Sequence, residues 1–217
     1  MTGDLLALYL VTDAALAGER GVIEVCRLAL RAGVRLVQLR DKQASDAELI
    51  VQARALRALC REHGAYLLVN DRVEVAAAAG ADGVHLGQGD APPARARQRL
   101  GPDAIIGVSV RTPEEARRAE RDGADYIAAN LVFPTATKTD LPGPLGLAGV
   151  RALRDASHLP LVAIGGINAT NAAEVVAAGA DGVAVVSAVM AAPDPAAACR
   201  GLLQAVREGR RRRGPNP

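Results

Sequence analysis

The sequence predicts a single-domain α/β protein built as a (β/α)8 TIM barrel, and three observations lead to that fold. The chain has 217 residues, enough to bury one sizeable core. One phrase recurs at residues 31–40, 78–87, 121–130 and 177–186, where a helical run ends at a glycine before an apolar strand. Eight short apolar segments alternate with helical runs, which is the order that this barrel requires.

Local signals justify the predicted elements. Glycine just past a helix end can adopt the left-handed conformation, so each repeated phrase marks a helix-to-strand joint. The strands do not alternate apolar and polar residues, which is typical of parallel strands buried on both faces. Thr112 can cap a helix whose first turn accepts Pro113. We predict strands near 6–11, 34–39, 65–69, 82–86, 104–108, 125–130, 160–164 and 182–186, and helical runs that include 21–32, 45–62, 112–122 and 168–178.

A doubly wound open sheet is the alternative architecture. No G-x-G-x-x-G motif follows the first strand, which weakens that alternative. We assign the barrel to residues 1–206 and expect residues 207–217, a basic run with glycine and proline, to form a flexible tail.

Composition excludes several classes of protein. Half of the residues are apolar, 23% are charged and the net charge is +2, which is ordinary for a globular protein and gives no case for nucleic-acid binding. The apolar run at 5–11 is too short to span a membrane, and Asp4 precedes it where a signal peptide carries positive charge. Cys26, Cys60 and Cys199 lack metal-ligand spacing, so we expect buried, reduced thiols and a cytoplasmic protein.

Polar residues and glycines follow the predicted strands. In a (β/α)8 barrel these loops form the active face, so the residues are expected to gather at one end of the molecule. They are Gln38, Arg40, Asp41 and Lys42 after the second strand, Asn70 and Asp71 after the third, Asp90 after the fourth, Ser109 after the fifth, the stretch 133–140 after the sixth, Gly165, Gly166 and Asn168 after the seventh, and Ser187 after the eighth.

The two lysines of the chain, Lys42 and Lys138, both fall in these loops, although the chain has 24 arginines. A lysine is a compact, flexible point charge that suits phosphate oxygens. The pattern indicates that arginine cannot serve at these two positions; the alternative is chance placement on a solvated surface.

Two aspartates suggest a metal. Asp71 and Asp90 follow adjacent strands, and carboxylates with no histidine or cysteine nearby suit Mg²⁺, which binds substrate phosphates together with one or two protein carboxylates. Either aspartate alone could instead cap a helix or form a turn. With the lysines and arginine opposite, they predict a metal–diphosphate site.

The last two strands suggest a second phosphate site. Gly166 and Ser187 follow the seventh and eighth strands, where barrels often bind phosphate through backbone N–H groups. A plain tight turn is the alternative explanation for the glycines. The chain thus has provision for two phosphate groups.

No conventional catalytic set accompanies these sites. The histidines are scattered, and we expect His85 to be a hydrogen-bonded histidine of the barrel. No serine, cysteine or lysine is placed as an evident nucleophile. Ionisation that expels diphosphate fits this inventory, because it needs charge neutralisation more than proton transfer.

At these loops the sequence resembles the thiamine-phosphate synthase family. The similarity covers nearly the whole chain, in order, and the segments at 38–42 and 134–138 are the most specific. The motifs are LYLVTD (8–13), VQLRDK (37–42), LLVNDR (67–72), GVHLGQGD (83–90), IGVSV (106–110), FPTATK (133–138), VAIGGIN (162–168) and GVAVVSA (182–188).

The resemblance implies that a pyrimidine diphosphate and a thiazole phosphate are joined to give thiamine phosphate and diphosphate. Diphosphate would leave first, and the thiazole nitrogen would attack the resulting pyrimidine methylene cation. Asp71 and Asp90 would bind Mg²⁺. The residues implied for the pyrimidine diphosphate are Gln38, Leu39, Arg40, Asp41, Lys42, Asn70, Ser109 and Lys138, of which Arg40, Lys42, Ser109 and Lys138 would be catalytic; those implied for the thiazole phosphate are Thr135, Ala136, Thr137, Gly166, Val186 and Ser187.

One departure and three rival functions accompany the resemblance. Residues 128–131 replace a Gly-x-Gly-Pro run that is common in the family, so the backbone path into the thiazole loop is expected to differ.

A related branch isomerises a thiazole carboxylate phosphate with a histidine base, but this chain has Arg111 there. A sugar-phosphate isomerase and an inactive ligand sensor are the other rivals. The sequence leaves the oligomeric state open, including a homo-oligomer.

Overall fold

The computed structural model describes residues 4–135 and 143–214, and within them eight parallel strands close into a barrel in sequence order. The last strand pairs with the first, so the sheet has no free edge. The strands are β1 Leu8–Val11, β2 Leu36–Leu39, β3 Tyr66–Asn70, β4 Gly83–Leu86, β5 Ile105–Val110, β6 Tyr126–Asn130, β7 Leu161–Ile164 and β8 Gly182–Val185. The predicted (β/α)8 barrel is confirmed.

Helices surround the barrel and connect consecutive strands. In the described residues they are α1 Ala14–Ala17, α2 Val22–Arg31, α3 Asp46–Glu62, α4 Val73–Ala79, α5 Pro93–Leu100, α6 Pro113–Arg121, α7 Gly146–Ala156, α8 Ala172–Ala177, α9 Ser187–Met190 and α10 Pro195–Arg213, with a 3-10 turn at Gly18–Arg20. None of them combines the length and apolarity needed to cross a membrane.

Side-chain caps set where the helices begin. Ser45 and Glu48 form a reciprocal capping box at α3, and Thr112 and Glu115 form another at α6, with Pro113 in the first turn as predicted. The helix expected at 168–178 is shorter, because the side chains of Asn168 and Asn171 bond to nearby backbone N–H groups and hold 168–171 as a turn.

The repeated phrase contains an aspartate that links neighbouring strands at the amino-terminal end of the barrel. In its last three copies the carboxylate accepts a hydrogen bond of 2.7–2.8 Å from the backbone N–H of the preceding strand. An arginine pairs with each carboxylate. The three pairs are Asp82 with Arg57, Asp125 with Arg97, and Asp181 with Arg154. These contacts fix strand order at the end opposite the predicted site.

The strands are buried on both faces, as the sequence predicts. Successive side chains point to opposite faces of a strand. Leu8 and Leu10 pack in the layer between strands and helices, whereas Tyr9 and Val11 pack inside the barrel. The three cysteines are buried free thiols, which confirms that prediction.

The boundary expected at residue 206 falls inside α10, which continues to Arg213. Its last turns are held to the barrel, because Arg210 donates to the carbonyl oxygen of Asp181 at 2.7 Å and Arg213 bonds to the Asp181 carboxylate at 3.1 Å. Residues 207–213 therefore belong to the barrel domain rather than to a tail.

Candidate active site

A cavity of about 380 Å³ opens at the carboxyl ends of the strands. Residues from both predicted phosphate regions line it together. Eight of the predicted site residues do so: Gln38, Arg40, Asn70, Ser109, Thr135, Gly166, Val186 and Ser187. The structure therefore brings residues that are up to 149 positions apart in the chain (38 to 187) into one chamber.

The loop after β2 carries positive charge along the rim of this cavity. The Thr12 hydroxyl accepts a hydrogen bond of 2.9 Å from the backbone N–H of Arg40, which fixes the start of the loop. Asp41 accepts backbone hydrogen bonds of 2.9 and 3.2 Å from Gln43 and Ala44, so its carboxylate shapes the loop. Arg40 also lines an adjacent depression that contains Lys42.

Leu39 occupies a different position from its predicted neighbours. Its side chain is 1% exposed and packs in the layer between strands and helices. Because side chains alternate along β2, Gln38 faces the cavity and Leu39 faces away from it. The Leu39 side chain therefore does not reach the cavity.

Asp71 and Asp90 lie together at the ends of β3 and β4. The carboxyl group of Asp90 is close enough to that of Asp71 to interact with it electrostatically. Asp71 has a left-handed backbone (φ 59°), held by a hydrogen bond of 2.8 Å from its N–H to the carbonyl oxygen of His85. Asp90 accepts a hydrogen bond of 2.6 Å from the backbone N–H of Gly87.

The environment of Asp71 suits a cation. Burial and the neighbouring Asp90 raise the pKa of Asp71 to about 6, and Lys42 opposes that rise. Two carboxylates in contact repel one another when both are ionised, and a divalent cation between them would relieve the repulsion. No cluster of three or more potential metal-ligating residues occurs in 4–135 or 143–214. A two-carboxylate site fits Mg²⁺, which retains water ligands.

The glycines after β7 allow the chain after β6 to approach closely. A Cβ on Gly165 would lie 2.3 Å from a methyl carbon of Leu131, and a Cβ on Gly166 would lie 2.5 Å from the carbonyl oxygen of Pro134. The N–H of Phe133 also bonds to the carbonyl oxygen of Gly165 at 3.0 Å. Gly166 (φ +63°) therefore positions the segment that delivers Thr135 to the cavity.

Arg111 braces the same connection from the other side. Its guanidinium donates to the carbonyl oxygen of Asn130 at 2.7 Å and to that of Gly143 at 2.7 Å. Residues 128–131 are the segment in which the sequence departs from the family pattern. Ala128 to Asn130 form the buried end of β6, and Leu131 packs on Gly165. The path is thus defined up to Thr135, whereas Ala136, Thr137 and Lys138 lie outside the described residues.

The far side of the cavity ends at β8. Val186 and Ser187 line the cavity, and Ser187 begins the short helix α9. This is the position at which (β/α)8 barrels commonly bind phosphate. Gly165 and Gly166 of the turn after β7 line the same cavity.

Three residues inside the barrel were not predicted to belong to the site. The sequence does not single out Tyr9 and Tyr126, and it predicts only a structural role for His85. Tyr9 and Tyr126 lie inside β1 and β6, and their hydroxyls connect Gln38 to His85 by hydrogen bonds. His85 in turn bonds to Ser109, so the prediction of a hydrogen-bonded histidine is confirmed. The available signal was the scarcity of aromatic residues, since tyrosine occurs only three times in the chain.

Fold and site together define a (β/α)8-barrel protein with a polar cavity at the carboxyl ends of its strands. The family model for thiamine monophosphate synthase matches residues 8–189. The chain belongs to this family, whose curated members are named as enzymes of thiamine-phosphate synthesis.

Individual relatives agree with the family assignment. The thiamine-phosphate synthase of Moorella thermoacetica is 50% identical over 203 residues, covering 94% of this chain and 97% of the relative. That of Natronomonas pharaonis is 50% identical over 208 residues, covering 95% and 97%. The solved thiamine phosphate pyrophosphorylase of Pyrococcus furiosus has a TM-score of 0.86 and 43% identity, covering 95% of this chain and 98% of that chain. A 3-hexulose-6-phosphate synthase shares the fold at 21% identity and a TM-score of 0.67.

Proposed function

We propose that this protein is a thiamine-phosphate synthase. It joins 4-amino-2-methyl-5-(diphosphooxymethyl)pyrimidine to 4-methyl-5-(2-phosphoethyl)thiazole and releases diphosphate. When the thiazole carries a carboxylate, CO2 is released as well. The observation that carries the proposal is that Arg40 and Thr135 line one cavity. A chamber bounded by the basic loop after β2 and by the segment after β6 can hold two phosphorylated substrates next to each other.

The residues divide into two groups around this chamber. Gln38, Asn70 and Ser109 present polar side chains toward the heterocycle of the pyrimidine, and Arg40 and Lys42 supply positive charge for its diphosphate. On the other side, the backbone around Gly166 and Ser187 and the hydroxyl of Thr135 face the thiazole phosphate. Ala136, Thr137 and Lys138 remain predicted members of these groups, on the basis of the sequence.

Asp71 and Asp90 would hold Mg²⁺. The ion would neutralise charge on the diphosphate, which is the leaving group. This chain's own residues bind and orient the two substrates, so the thiazole nitrogen lies next to the methylene carbon as the carbon–oxygen bond to diphosphate breaks. Positive charge from Arg40, Lys42 and Lys138 stabilises the departing anion, and the aminopyrimidine ring stabilises the methylene cation.

The proposed reaction takes place in the cytoplasm, with phosphorylated small molecules as its partners. Burial raises the pKa of the Cys60 and Cys199 thiols to about 12, so they remain protonated and unreactive in a reducing compartment.

Separate binding of the two halves tests the proposal. Calorimetry should show that the pyrimidine diphosphate binds more tightly with Mg²⁺ than with a chelator, because a cation held by Asp71 and Asp90 would neutralise charge on the diphosphate. The affinity for the thiazole phosphate should be independent of Mg²⁺. Failure of both compounds to bind would overturn the proposal, and binding of both without turnover would favour a ligand sensor.

A further inference from the structure

A chain of hydrogen bonds crosses the interior of the barrel and joins two residues of the cavity. Gln38 Nε2 lies 2.5 Å from the hydroxyl of Tyr9, which lies 3.1 Å from that of Tyr126. The Tyr126 hydroxyl lies 2.8 Å from Nδ1 of His85, and Nε2 of His85 lies 2.9 Å from Oγ of Ser109. The chain thus runs from β2 through β1, β6 and β4 to β5, with Gln38 and Ser109 at its ends.

The number of protons fixes the direction of this chain. Either of two hydroxyls can donate to the other, but an amide nitrogen can only donate, so Tyr9 accepts from Gln38. The remaining neighbour of the Tyr9 hydroxyl among the described residues is the Tyr126 hydroxyl at 3.1 Å. Because each hydroxyl can take either role, the acceptor role of Tyr9 toward Gln38 leaves its own proton to be donated to Tyr126. The reverse direction would leave the Tyr9 proton buried without an acceptor, which is costly.

The remaining protons follow from that step. The Tyr126 hydroxyl donates to Nδ1 of His85, so the neutral imidazole carries its proton on Nε2 and donates to Ser109 Oγ. The hydroxyl proton of Ser109 is then available to donate to a ligand in the cavity, and Oε1 of Gln38 is available to accept from one. Each group in such a chain polarises the next, which strengthens the arrangement.

The surroundings of the two tyrosines keep the chain intact. Burial raises the pKa of both phenols well above the usual value of about 10, so both remain protonated. Tyr126 occupies space that Gly107 leaves open, since a Cβ on Gly107 would lie 2.0 Å from the tyrosine ring. The rings of Tyr9 and Tyr126 pack edge to face with centroids 6.0 Å apart.

We infer that Tyr9, Tyr126 and His85 are positioning residues that fix the hydrogen-bonding polarity of the cavity, making Ser109 a donor and Gln38 an acceptor toward the substrate. The inference rests on the proposed function, in which these two residues face the pyrimidine. An aminopyrimidine matches this polarity, because its ring nitrogens accept hydrogen bonds and its exocyclic amino group donates them.

Nitrogen-15 NMR of the histidines tests the direction of the chain without any substrate. The protein has three histidines, so selective labelling gives few imidazole signals, and the His85→Gln variant identifies those of His85. The wild-type protein should show His85 as the neutral tautomer with its proton on Nε2. A proton on Nδ1, or a doubly protonated ring at neutral pH, would overturn the inference. This readout does not depend on catalysis, so it separates the inference from the proposed function.

A tyrosine substitution tests the coupling to the substrate. Tyr126→Phe removes one hydroxyl and should lower kcat/KM for the pyrimidine diphosphate at least about tenfold, while KM for the thiazole phosphate stays within about twofold. The Nε2-protonated tautomer of His85 should also lose its dominance. Tyr66→Phe is the matched control, because Tyr66 is 44% exposed at the start of β3.

Two results would contradict the coupling. One is a Tyr126→Phe protein that keeps both the wild-type tautomer of His85 and the wild-type kcat/KM. The other is an equal loss for both substrates with an unchanged tautomer, which would indicate general damage to the barrel. If Tyr126→Phe does not fold, Tyr9→Phe interrupts the same chain one link earlier and is expected to give the same kinetic pattern.

Discussion

The carboxyl groups of Asp71 and Asp90 interact electrostatically at the ends of the neighbouring strands β3 and β4. Asp71 is half-buried, and its pKa is raised to about 6 by burial and by the charge of Asp90. When both carboxyl groups are ionised they repel each other, and this repulsion destabilises the metal-free protein. The same arrangement favours binding of a divalent cation, and this relationship underlies the first two predictions.

The first prediction concerns the pH dependence of stability in the absence of metal. The unfolded-state pKa of aspartate is about 3.9, and the folded-state pKa of Asp71 is higher. The contribution of this group to stability is therefore complete below about pH 4 and is lost as the pH rises through about 6. Asp71→Asn is neutral at every pH, so its advantage over wild type in free energy of unfolding should be larger at about pH 7.5 than at about pH 4.5.

Urea denaturation with a chelator present measures that difference. Saturating Mg²⁺ should shrink the advantage of Asp71→Asn at the higher pH, because the cation binds the ionised carboxylates. An advantage of equal size at both pH values would contradict the assignment of the raised pKa to Asp71.

The second prediction concerns the Mg²⁺ requirement. Asp90→Asn retains an oxygen that can accept the N–H of Gly87 but removes the negative charge. The Mg²⁺ concentration for half-maximal activity should rise at least about tenfold, which corresponds to about 1.4 kcal/mol. Asp155→Asn, on the exposed face of α7, is the control and should leave the requirement unchanged. Identical Mg²⁺ curves for wild type and Asp90→Asn would remove Asp90 from the metal site.

The third prediction concerns Lys138. If a compact point charge is needed at this position, Lys138→Arg should lower turnover at least about tenfold, or about 1.4 kcal/mol of transition-state stabilisation. A Lys→Arg control outside the site is not possible, because the other lysine, Lys42, also lies in the predicted site. The reverse exchange, Arg151→Lys on the exposed side of α7, therefore serves as the control. Full turnover in Lys138→Arg would show that any cation serves there.

The fourth prediction separates backbone strain from a specific contact. Gly166 (φ +63°) and Gly64 (φ +61°) have nearly the same backbone conformation, but a Cβ meets Pro134 only at Gly166 and has nothing within 4 Å at Gly64. Both alanine variants should lose about 1–2 kcal/mol of unfolding free energy to the left-handed conformation.

Kinetics should then distinguish these two variants. Gly166→Ala must also displace the segment that carries Thr135, so its KM for the thiazole phosphate should rise at least about fivefold. Gly64→Ala should leave that KM unchanged. Equal KM values in the two variants would show that the approach of Pro134 to Gly166 does not position the thiazole phosphate.

Much of this architecture could be predicted because its determinants are local. Glycines such as Gly80 end helices in the left-handed conformation (φ 64°), and the repeated phrase marks these joints directly in the sequence. The gathering of Arg40, Asn70 and Ser109 in one cavity also follows from local information, since all three come at or just after the carboxyl ends of parallel strands.

The features that escaped prediction depend on long-range packing. Tyr9 and Tyr126 lie in strands buried on both faces, where the sequence alone does not say which residues point into the barrel. The sequence predicts phosphate binding or a tight turn for the glycines after β7, but the close contact of Gly165 with Leu131 appears only when β6 and β7 are paired. The sequence predicts a tail from residue 207, whereas residues 207–213 are helical and their arginines bond to Asp181, which is about 30 residues away.

The most direct test of the proposed function is a coupling assay with the purified protein, both phosphorylated substrates and Mg²⁺, followed by mass spectrometry of the products. Thiamine phosphate and diphosphate should appear in equal amounts, and omission of either substrate should abolish both. Absence of thiamine phosphate from the complete mixture, with folded protein and intact substrates, would contradict the assignment of this cavity as a thiamine-phosphate synthase site.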